Sequence, residues 1–227
     1  MKGIILAAGK SKRYGKPKYF ETYKDKTFVE HNIDFLLSNN VKEICIVINQ
    51  KEKERFEIIK EMYINKANIV FTFQDRRFYG PAAGLFSAED FITEDFVLLF
   101  SDNYYEGTFD FKKQLKNNDC LVTYREMYMS VDNLRYAYIN DSSWFTSRWK
   151  IIEKPHKYHE GKYFCGFIVF SKYVKSKFNM LRLSKRGEYE ITSLVNSLCN
   201  RKFVYLDMNW FDITYKKDLK IKKRELC

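Results

Sequence analysis

The chain has few of the residues that interrupt regular structure or hold structural metals. Its 227 residues include 9 Gly, 3 Pro and 3 His. The 5 cysteines are odd in number and widely spaced, and none forms a Cys-x-x-Cys pair. This pattern argues against a disulfide framework and against a structural zinc site. We therefore expect free thiols and a cytoplasmic protein.

Long apolar runs are also missing. No stretch approaches the roughly 20 uninterrupted apolar residues of a membrane-spanning helix, and the N-terminal segment lacks the apolar core and cleavage site of a signal peptide. With 45% hydrophobic and 30% charged residues, the chain has enough apolar surface for a large buried core. We expect one globular domain and no membrane partner.

Positive charge is in excess, with 40 Lys and Arg against 29 Asp and Glu, a net charge of +11. Such a balance permits an anionic ligand without requiring one. The densest cluster, Lys216–Arg224, predicts a solvated terminal helix. A basic nucleic-acid-binding protein is one alternative function. It is disfavoured because the cations concentrate in the Lys10–Lys18 loop and the tail, so we expect no nucleic-acid partner.

Strand and helix patterns alternate through the first half of the chain, which predicts an α/β fold with a mixed, mainly parallel sheet flanked by helices. Apolar runs typical of strands are Lys2–Ala8, Glu43–Ile48, Ala67–Phe73, Phe96–Phe100, Asp119–Tyr124 and Phe203–Leu206. Helical spacing is present in Phe28–Leu37, Lys51–Tyr63, Ala82–Phe91, Lys172–Met180 and Glu190–Cys199.

Three further β-type runs lie close together, at Tyr136–Asn140, Trp149–Glu153 and Phe164–Phe170. They predict a small antiparallel extension on one side of the sheet. No linker divides the chain, so residues 1–227 are expected to form one domain.

The first segment that could bind a ligand is LAAGKSKRYGKPK, Leu6–Lys18. It follows a predicted buried strand and carries several cations. Small residues allow backbone N–H groups to approach a phosphate, and the cations neutralise it. The segment is neither a P-loop nor a G-x-G-x-x-G turn.

A second segment is LLFSDNYYEG, Leu98–Gly107, in which an apolar strand ends at Asp102. Ligands bind at the carboxyl edge of open parallel sheets, and a carboxylate there is suited to a hard cation. A turn-initiating aspartate is the alternative interpretation.

The A-A-G-x-x-x-R pattern followed by P-K resembles the signature of nucleotidyltransferases that make nucleoside-diphosphate sugars and related activated metabolites. The resemblance implies a single Rossmann-like nucleotidyltransferase domain with a nucleotide-binding half (1–125), an acceptor-binding half (126–214) and a C-terminal helix (215–227). It places Arg13 on the β and γ phosphates and Lys18 near the reacting phosphate.

The segment FQDRRFYGPAAGLFSAEDF resembles the family segment in which a Gln and a Gly meet the base. Alternatively, Pro81 simply occupies the first position of a helix. The nucleotide-binding set implied by the resemblance is Leu6, Ala7, Ala8, Gly9, Lys10, Ser11, Lys12, Arg13, Gln74, Gly80, Pro81, Ala82, Ser101 and Asp102.

Four further blocks, RYAYI, WKIIEKP, YFCGFIVFS and RGEYEIT, occur in the same order in sugar-1-phosphate nucleotidyltransferases. The resemblance implies that Glu153 meets sugar hydroxyls and that Lys154 meets the sugar phosphate. The implied acceptor-binding set is Asn103, Tyr136, Glu153, Lys154, Gly166 and Arg186.

The segment NWFDITYKKDL resembles the family's W-x-D-x-x-T-x-x-D-L segment, with Thr214 where Gly or Asp is usual. Asp212 would then be the second ligand of a Mg²⁺ ion held by Asp102. The catalytic set that the resemblance implies is Arg13, Lys18, Asp102 and Lys154.

The implied reaction joins a nucleoside triphosphate, expected to be CTP, dTTP or UTP, to a phosphorylated small metabolite, with release of pyrophosphate. A sugar 1-phosphate is the leading acceptor, for surface polysaccharide precursors. The short Arg13-to-Pro17 spacing and the Asp102-Asn103-Tyr104 sequence instead favour cytidylyl transfer to phosphocholine or a phosphorylated amino-acid derivative.

Three tryptophans, Trp144, Trp149 and Trp210, could form a cation cage for choline, although core packing is the more common role of a Trp. A monomer or a homodimer is expected.

Overall fold

The structure, a computed structural model, describes residues 1–11, 13–75, 78–127, 135–140, 149–155 and 160–225. Its strands are β1 (Lys2–Ala7), β2 (Thr22–Tyr23), β3 (Lys26–Thr27), β4 (Glu43–Ile48), β5 (Asn68–Phe73), β6 (Phe96–Phe100), β7 (Asn103–Glu106), β8 (Cys120–Met127), β9 (Tyr138–Asn140), β10 (Lys150–Ile152), β11 (Gly161–Phe170), β12 (Arg201–Tyr205) and β13 (Asn209–Asp212). Its α-helices are α1 (Phe28–Ser38), α2 (Lys53–Met62), α3 (Pro81–Ser87), α4 (Phe111–Leu115), α5 (Ile191–Ser197) and α6 (Lys216–Arg224). Short 3-10 helices cover Lys18–Phe20, Gln50–Glu52, Glu89–Phe91 and Lys172–Met180.

One mixed sheet contains nine of the described strands. Its main path is β10-β9-β11-β6-β1-β4-β5, and β8 and β12 continue it beside β11. Strands β5, β4, β1 and β6 are parallel to one another, while β11 runs antiparallel to β6 and β8. The predicted α/β fold with a mixed, mainly parallel sheet is confirmed.

Both faces of β1 are buried, because successive side chains of a strand point to opposite faces. Ile5 belongs to the apolar cluster that includes Ile33 of α1 and Phe56 of α2. Ile4 belongs to a second cluster that includes Leu85 of α3. Burial on both sides explains why the strand is continuously apolar rather than alternating.

The position of β11 differs from the prediction. Its apolar run was expected in a peripheral extension, but β11 lies within the central sheet between β6 and β8. Among the described strands, β9 and β10 form the antiparallel margin next to β11. Phe167 and Phe170 are fully buried, and such a continuous apolar run is typical of a central strand.

Two other features were not predicted. Strands β7 and β13 form a separate antiparallel pair, which short segments far apart in sequence do not signal by themselves. The predicted helix at Lys172–Met180 is a 3-10 helix. Its buried residues Val174 and Phe178 are four positions apart, a spacing that by itself predicts an α-helix.

The cysteines of the described regions are free thiols, as predicted. Cys45, Cys120 and Cys165 are buried and Cys199 is exposed. No helix in the described part of the chain is long and apolar enough to cross a membrane.

Candidate active site

A cleft of about 1110 Å³ opens at the carboxyl ends of β1 and β6 and is also lined by residues of the second half of the chain. Most residues predicted for the site line it. These are Leu6, Ala8, Gly9, Lys10, Ser11, Arg13, Lys18, Gln74, Gly80, Pro81, Ser101, Asp102, Asn103, Tyr136, Glu153, Lys154, Gly166, Arg186 and Asp212.

Three of the predicted nucleotide-binding residues are not among them. Ala7 and Ala82 are fully buried in the two core clusters. The backbone N–H of Ala82 donates to the carbonyl of Tyr189 at 2.9 Å. Both alanines therefore serve packing in this structure. Lys12 lies outside the described residues.

The two aspartates predicted to share a metal ion are brought to one place by backbone pairing. In the β7–β13 ladder, Asp212 lies opposite Asn103, the residue after Asp102. Beyond the ladder, the N–H of Ile213 donates to the carbonyl oxygen of Asp102 at 2.9 Å.

Lys18 lies between these segments. Its ammonium group forms an ion pair with the Asp102 carboxylate and donates to the carbonyl of Ile213 at 2.9 Å. Its backbone N–H donates to Ser11 Oγ at 3.3 Å. The loop that follows β1 is thereby attached to the carboxylate pair.

Asp212 is surrounded by donors. It accepts hydrogen bonds from the Tyr136 hydroxyl and, at 3.0 Å, from the Thr214 hydroxyl, and its carboxylate lies 3.3 Å from the Arg135 guanidinium. Burial, supported by the negative charge of Asp102, raises the pKa of Asp212, although Arg135 and Tyr136 oppose the shift.

This donor set suits Mg²⁺. No group of three or more His, Cys, Asp or Glu side chains that could hold a metal ion occurs in the described part of the chain. Mg²⁺ commonly binds through one or two carboxylates, with water and substrate phosphates as its remaining ligands. The side chains of Asp102 and Asp212 are 26% and 11% exposed, so they are accessible from the cleft. Asp102 and Asp212 therefore fit the predicted ion.

The loop after β1 has an open backbone. Ser11 adopts a left-handed conformation with φ 46°, and its carbonyl accepts from the N–H groups of Tyr14 and Gly15. A Cβ atom placed on Gly9 would meet nothing within 4 Å. The Lys10 ammonium lies 4.8 Å from the centre of the Tyr79 ring. Room for a phosphate next to backbone N–H groups is thus present.

Gly80, which precedes α3, is required by the local backbone and packing. Gly80 caps the helix with φ 113°, and Pro81 occupies the first helical turn, as predicted. A Cβ atom on Gly80 would lie 2.5 Å from the carbonyl oxygen of Tyr189. Packing alone therefore requires this glycine, and the base contacts predicted for Gln74 and Gly80 stay predictions.

On the acceptor side, Arg186 lies between three carboxylates, at 3.6 Å from Glu153, 2.9 Å from Glu188 and 3.4 Å from Glu190. Burial lowers the pKa of Lys154, and the charges of Arg186 and Arg13 lower it further. Cations from both halves of the chain thus share one region of the cleft.

Glu153 has a shifted pKa in the opposite direction from Lys154. Burial raises its pKa, and the negative charge of Glu190 raises it further. A carboxylate next to a group of cations can accept bonds from hydroxyls while the cations hold a phosphate.

Gly166 lines the cleft, but its conformation is set by the core. It has φ 81°, and a Cβ atom there would lie 2.7 Å from Leu206 Cδ2 and 2.9 Å from Thr123 Oγ1. Its carbonyl accepts from the buried Tyr105 hydroxyl at 2.8 Å. The predicted contact of Gly166 with a sugar is not needed to explain the residue.

Arg135 stands in the RYAYI block, but the resemblance implies no role for it. Besides Asp212, Arg135 pairs with Asp218 at 2.8 Å, and Asp218 accepts from the N–H groups of Thr214 and Tyr215 at 2.8 Å each. Arg135 therefore links the carboxylate pair to the start of α6. Its position next to Tyr136, which was predicted to bind the acceptor, could have indicated that Arg135 belongs to the site.

Of the three tryptophans weighed as a cation cage, Trp149 and Trp210 are described, and only Trp210 of these two lines the cleft. Trp149 stacks on Phe203 with ring centres 4.7 Å apart, and Trp210 is 8% exposed. Trp144 lies outside the described residues.

Residues 3–104 match the MobA-like NTP transferase domain. The chain is 27% identical to the UTP–glucose-1-phosphate uridylyltransferase AglF of Haloferax volcanii over 209 residues, which cover 87% of this chain and 83% of that protein. It is 24% identical to a bifunctional sugar-1-phosphate nucleotidylyltransferase/acetyltransferase of Sulfurisphaera tokodaii over 94% of this chain, but spans only 52% of that longer protein.

The fold is similar to that of a candidate glucose-1-phosphate thymidylyltransferase from Bacillus anthracis, solved in complex with a sucrose. The TM-score is 0.84 at 21% sequence identity, and the superposition covers 99% of this chain and 94% of the other.

Proposed function

We propose that this chain, a nucleotidyltransferase of the EC 2.7.7 type, joins a nucleoside triphosphate to a sugar 1-phosphate and releases pyrophosphate. One observation carries the proposal. Asp102, Asp212 and Lys18 meet in the same cleft that holds Glu153 and Lys154. A triphosphate and a phosphorylated acceptor can therefore be bound side by side.

In the proposed reaction, an oxygen of the acceptor phosphate attacks the α phosphorus in line. The new phosphorus–oxygen bond forms as the bond to pyrophosphate breaks, and no covalent enzyme intermediate is required. Arg13 and Lys18 neutralise the leaving pyrophosphate and the transition state, while Lys154 reduces the repulsion between the two reacting phosphates.

The carboxylate pair has its own part in this reaction. A Mg²⁺ ion bound by Asp102 and Asp212 would neutralise negative charge on the α-phosphate oxygens. In the structure, Lys18 is paired with Asp102. Because both groups are needed at the triphosphate, we expect substrate binding to release Lys18 from this ion pair.

The acceptor side supports a sugar phosphate. Glu153 can accept bonds from two vicinal hydroxyls, and the adjacent Lys154 can hold the phosphate. The AglF and Sulfurisphaera tokodaii relatives are both named for sugar-1-phosphate chemistry. We propose a pyrimidine nucleotide as donor, and sugar nucleotides for surface polysaccharides as the products.

We propose that the enzyme acts in the cytoplasm, as a monomer or homodimer. The free thiols at the described cysteines are compatible with a reducing compartment.

The test is pyrophosphate release across a matrix of ATP, CTP, GTP, UTP and dTTP against sugar 1-phosphates, phosphocholine and phosphorylated amino-acid derivatives, with and without Mg²⁺. We expect Mg²⁺-dependent release with a pyrimidine nucleotide and a sugar 1-phosphate. Turnover with phosphocholine but no sugar 1-phosphate would overturn the acceptor assignment. Absence of pyrophosphate release in every pairing would overturn the proposed reaction.

A further inference from the structure

A short hydrogen-bond chain connects the two strands that bring the aspartates together. Trp210 Nε1 donates to Asn103 Oδ1 at 2.7 Å, and Asn103 Nδ2 donates to Asp102 Oδ1 at 2.7 Å. Trp210 and Asn103 are 8% and 7% exposed. Trp210 lies on β13, two residues before Asp212, and Asn103 begins β7 directly after Asp102.

The chemistry of the groups determines the direction of this chain. An indole N–H can only donate, so the carbonyl oxygen of the Asn103 amide must face Trp210. The amide nitrogen then faces Asp102, whose ionised carboxylate can only accept. Turning the amide over would place donor against donor at Trp210 and acceptor against acceptor at Asp102.

The two oxygens of Asp102 are therefore held differently. Oδ2 pairs with Lys18, a residue that we expect to move to the triphosphate. Oδ1 is held by Asn103, and the backbone carbonyl of Asn103 accepts in turn from Asn32 Nδ2 of α1 at 2.7 Å. Asn103 thus holds Asp102 from the core side, whether or not Lys18 is paired with Asp102.

We propose that Trp210 and Asn103 are positioning residues that orient the Asp102 carboxylate so that it shares one divalent cation with Asp212. The inference rests on the proposed function, which assigns the metal to these two aspartates. The Asn103 side-chain amide is engaged inside the protein by these two hydrogen bonds, and the acceptor contact predicted for Asn103 stays a prediction. Loss of an outer partner of a metal ligand typically weakens metal affinity 10- to 100-fold.

The test is a titration of the full chain with Mn²⁺ alone, followed by electron paramagnetic resonance, which requires neither nucleotide nor turnover. Trp210→Phe keeps most of the ring volume and removes the N–H donor. We expect Mn²⁺ to bind at least about tenfold more weakly to this variant.

Tyr105→Phe is the matched control. Tyr105 lies opposite Trp210 in the β7–β13 ladder, and its buried hydroxyl donates to the carbonyl of Gly166 at 2.8 Å. This variant also loses a buried hydrogen bond from the same strand pair, but none that reaches Asp102. We expect it to lose stability in urea unfolding and to bind Mn²⁺ like the wild type.

A double-mutant cycle tests whether Trp210 acts on Asp102 through Asn103. Asn103→Ala should weaken Mn²⁺ binding by itself, and adding Trp210→Phe to it should have no further effect, because Trp210 acts through Asn103. If Trp210→Phe does not fold, Asn103→Ala measures the same link.

Two failures can be told apart by including Asp102→Asn. If Mn²⁺ binding is lost in Asp102→Asn but unchanged in Trp210→Phe and Asn103→Ala, the positioning role is overturned and the metal site stands. If wild-type Mn²⁺ binding is absent or does not depend on Asp102, the metal site of the proposed function is overturned together with this inference.

Discussion

The backbone N–H of Ile213 donates to the carbonyl oxygen of Asp102 at 2.9 Å. This bond extends the β7–β13 ladder by one step, past the position where Asp212 lies opposite Asn103. The two carboxylates are thus brought together by main-chain pairing rather than by their own side chains. Substitutions of the carboxylates can therefore test chemistry without removing the scaffold.

Replacing either carboxylate by its amide should abolish most turnover. We expect Asp102→Asn and Asp212→Asn each to lower kcat on the order of 100- to 1000-fold, as for the loss of one contact that stabilises transition-state charge. Circular dichroism should show an intact fold. Asp90→Asn, an exposed aspartate outside the cleft, is the control. Near-normal activity of Asp102→Asn would refute the metal assignment.

The Gly9→Ala variant tests whether a phosphate approaches the loop after β1. A Cβ atom at Gly9 has no neighbour within 4 Å, so we expect the free energy of unfolding to change by less than about 0.5 kcal/mol. A methyl group that blocks one charge-assisted bond to phosphate should raise the KM for the nucleotide by about tenfold or more. The KM for the acceptor should stay unchanged. An unaltered nucleotide KM would contradict phosphate binding at this point.

Lys154→Arg should change the pH dependence of acceptor binding. Burial and the charges of Arg186 and Arg13 lower the pKa of Lys154, so it loses its proton at a lower pH than an ordinary lysine. As the pH rises, the wild type should lose this phosphate-binding charge and the acceptor KM should increase. Arginine stays protonated, so in Lys154→Arg the increase should be absent.

The measurement is the KM for the acceptor from about pH 7 to about pH 10, a range chosen to extend toward the ordinary lysine pKa. Lys150→Arg, an exposed lysine on β10, provides the matched control and should follow the wild type. An identical alkaline increase in Lys154→Arg would contradict the assignment of Lys154 to the acceptor phosphate.

Alanine substitutions at two glycines with left-handed backbones can distinguish the cost of a steric clash from the cost of backbone strain. Gly166→Ala places a methyl group 2.7 Å from Leu206 Cδ2, whereas Gly187→Ala meets nothing within 4 Å. Both substitutions carry backbone strain, but only the first adds a clash. We expect Gly166→Ala to lower the free energy of unfolding by about 3 kcal/mol and Gly187→Ala by about 1 kcal/mol. Urea denaturation measures both, and equal losses would exclude the clash.

Much of the architecture could be predicted from local patterns. The runs at Glu43–Ile48 and Phe96–Phe100 were assigned as strands with the bounds that the structure has, because a strand buried on both faces leaves a continuous apolar run. The same reasoning placed Asp102 at the carboxyl edge of the sheet. The location of β11 was missed because an apolar run does not specify its neighbours.

The amino-acid sequence by itself determined most of the long strands and helices, and which residue types stand at the strand ends. These properties depend on neighbouring residues and on the period of burial. Only the tertiary structure decided that Asp212 meets Asp102, that Arg135 joins them, and that Trp210 orients Asn103. Such contacts depend on the pairing and register of strands far apart in the chain, and that pairing is chosen by the whole core rather than by any one segment.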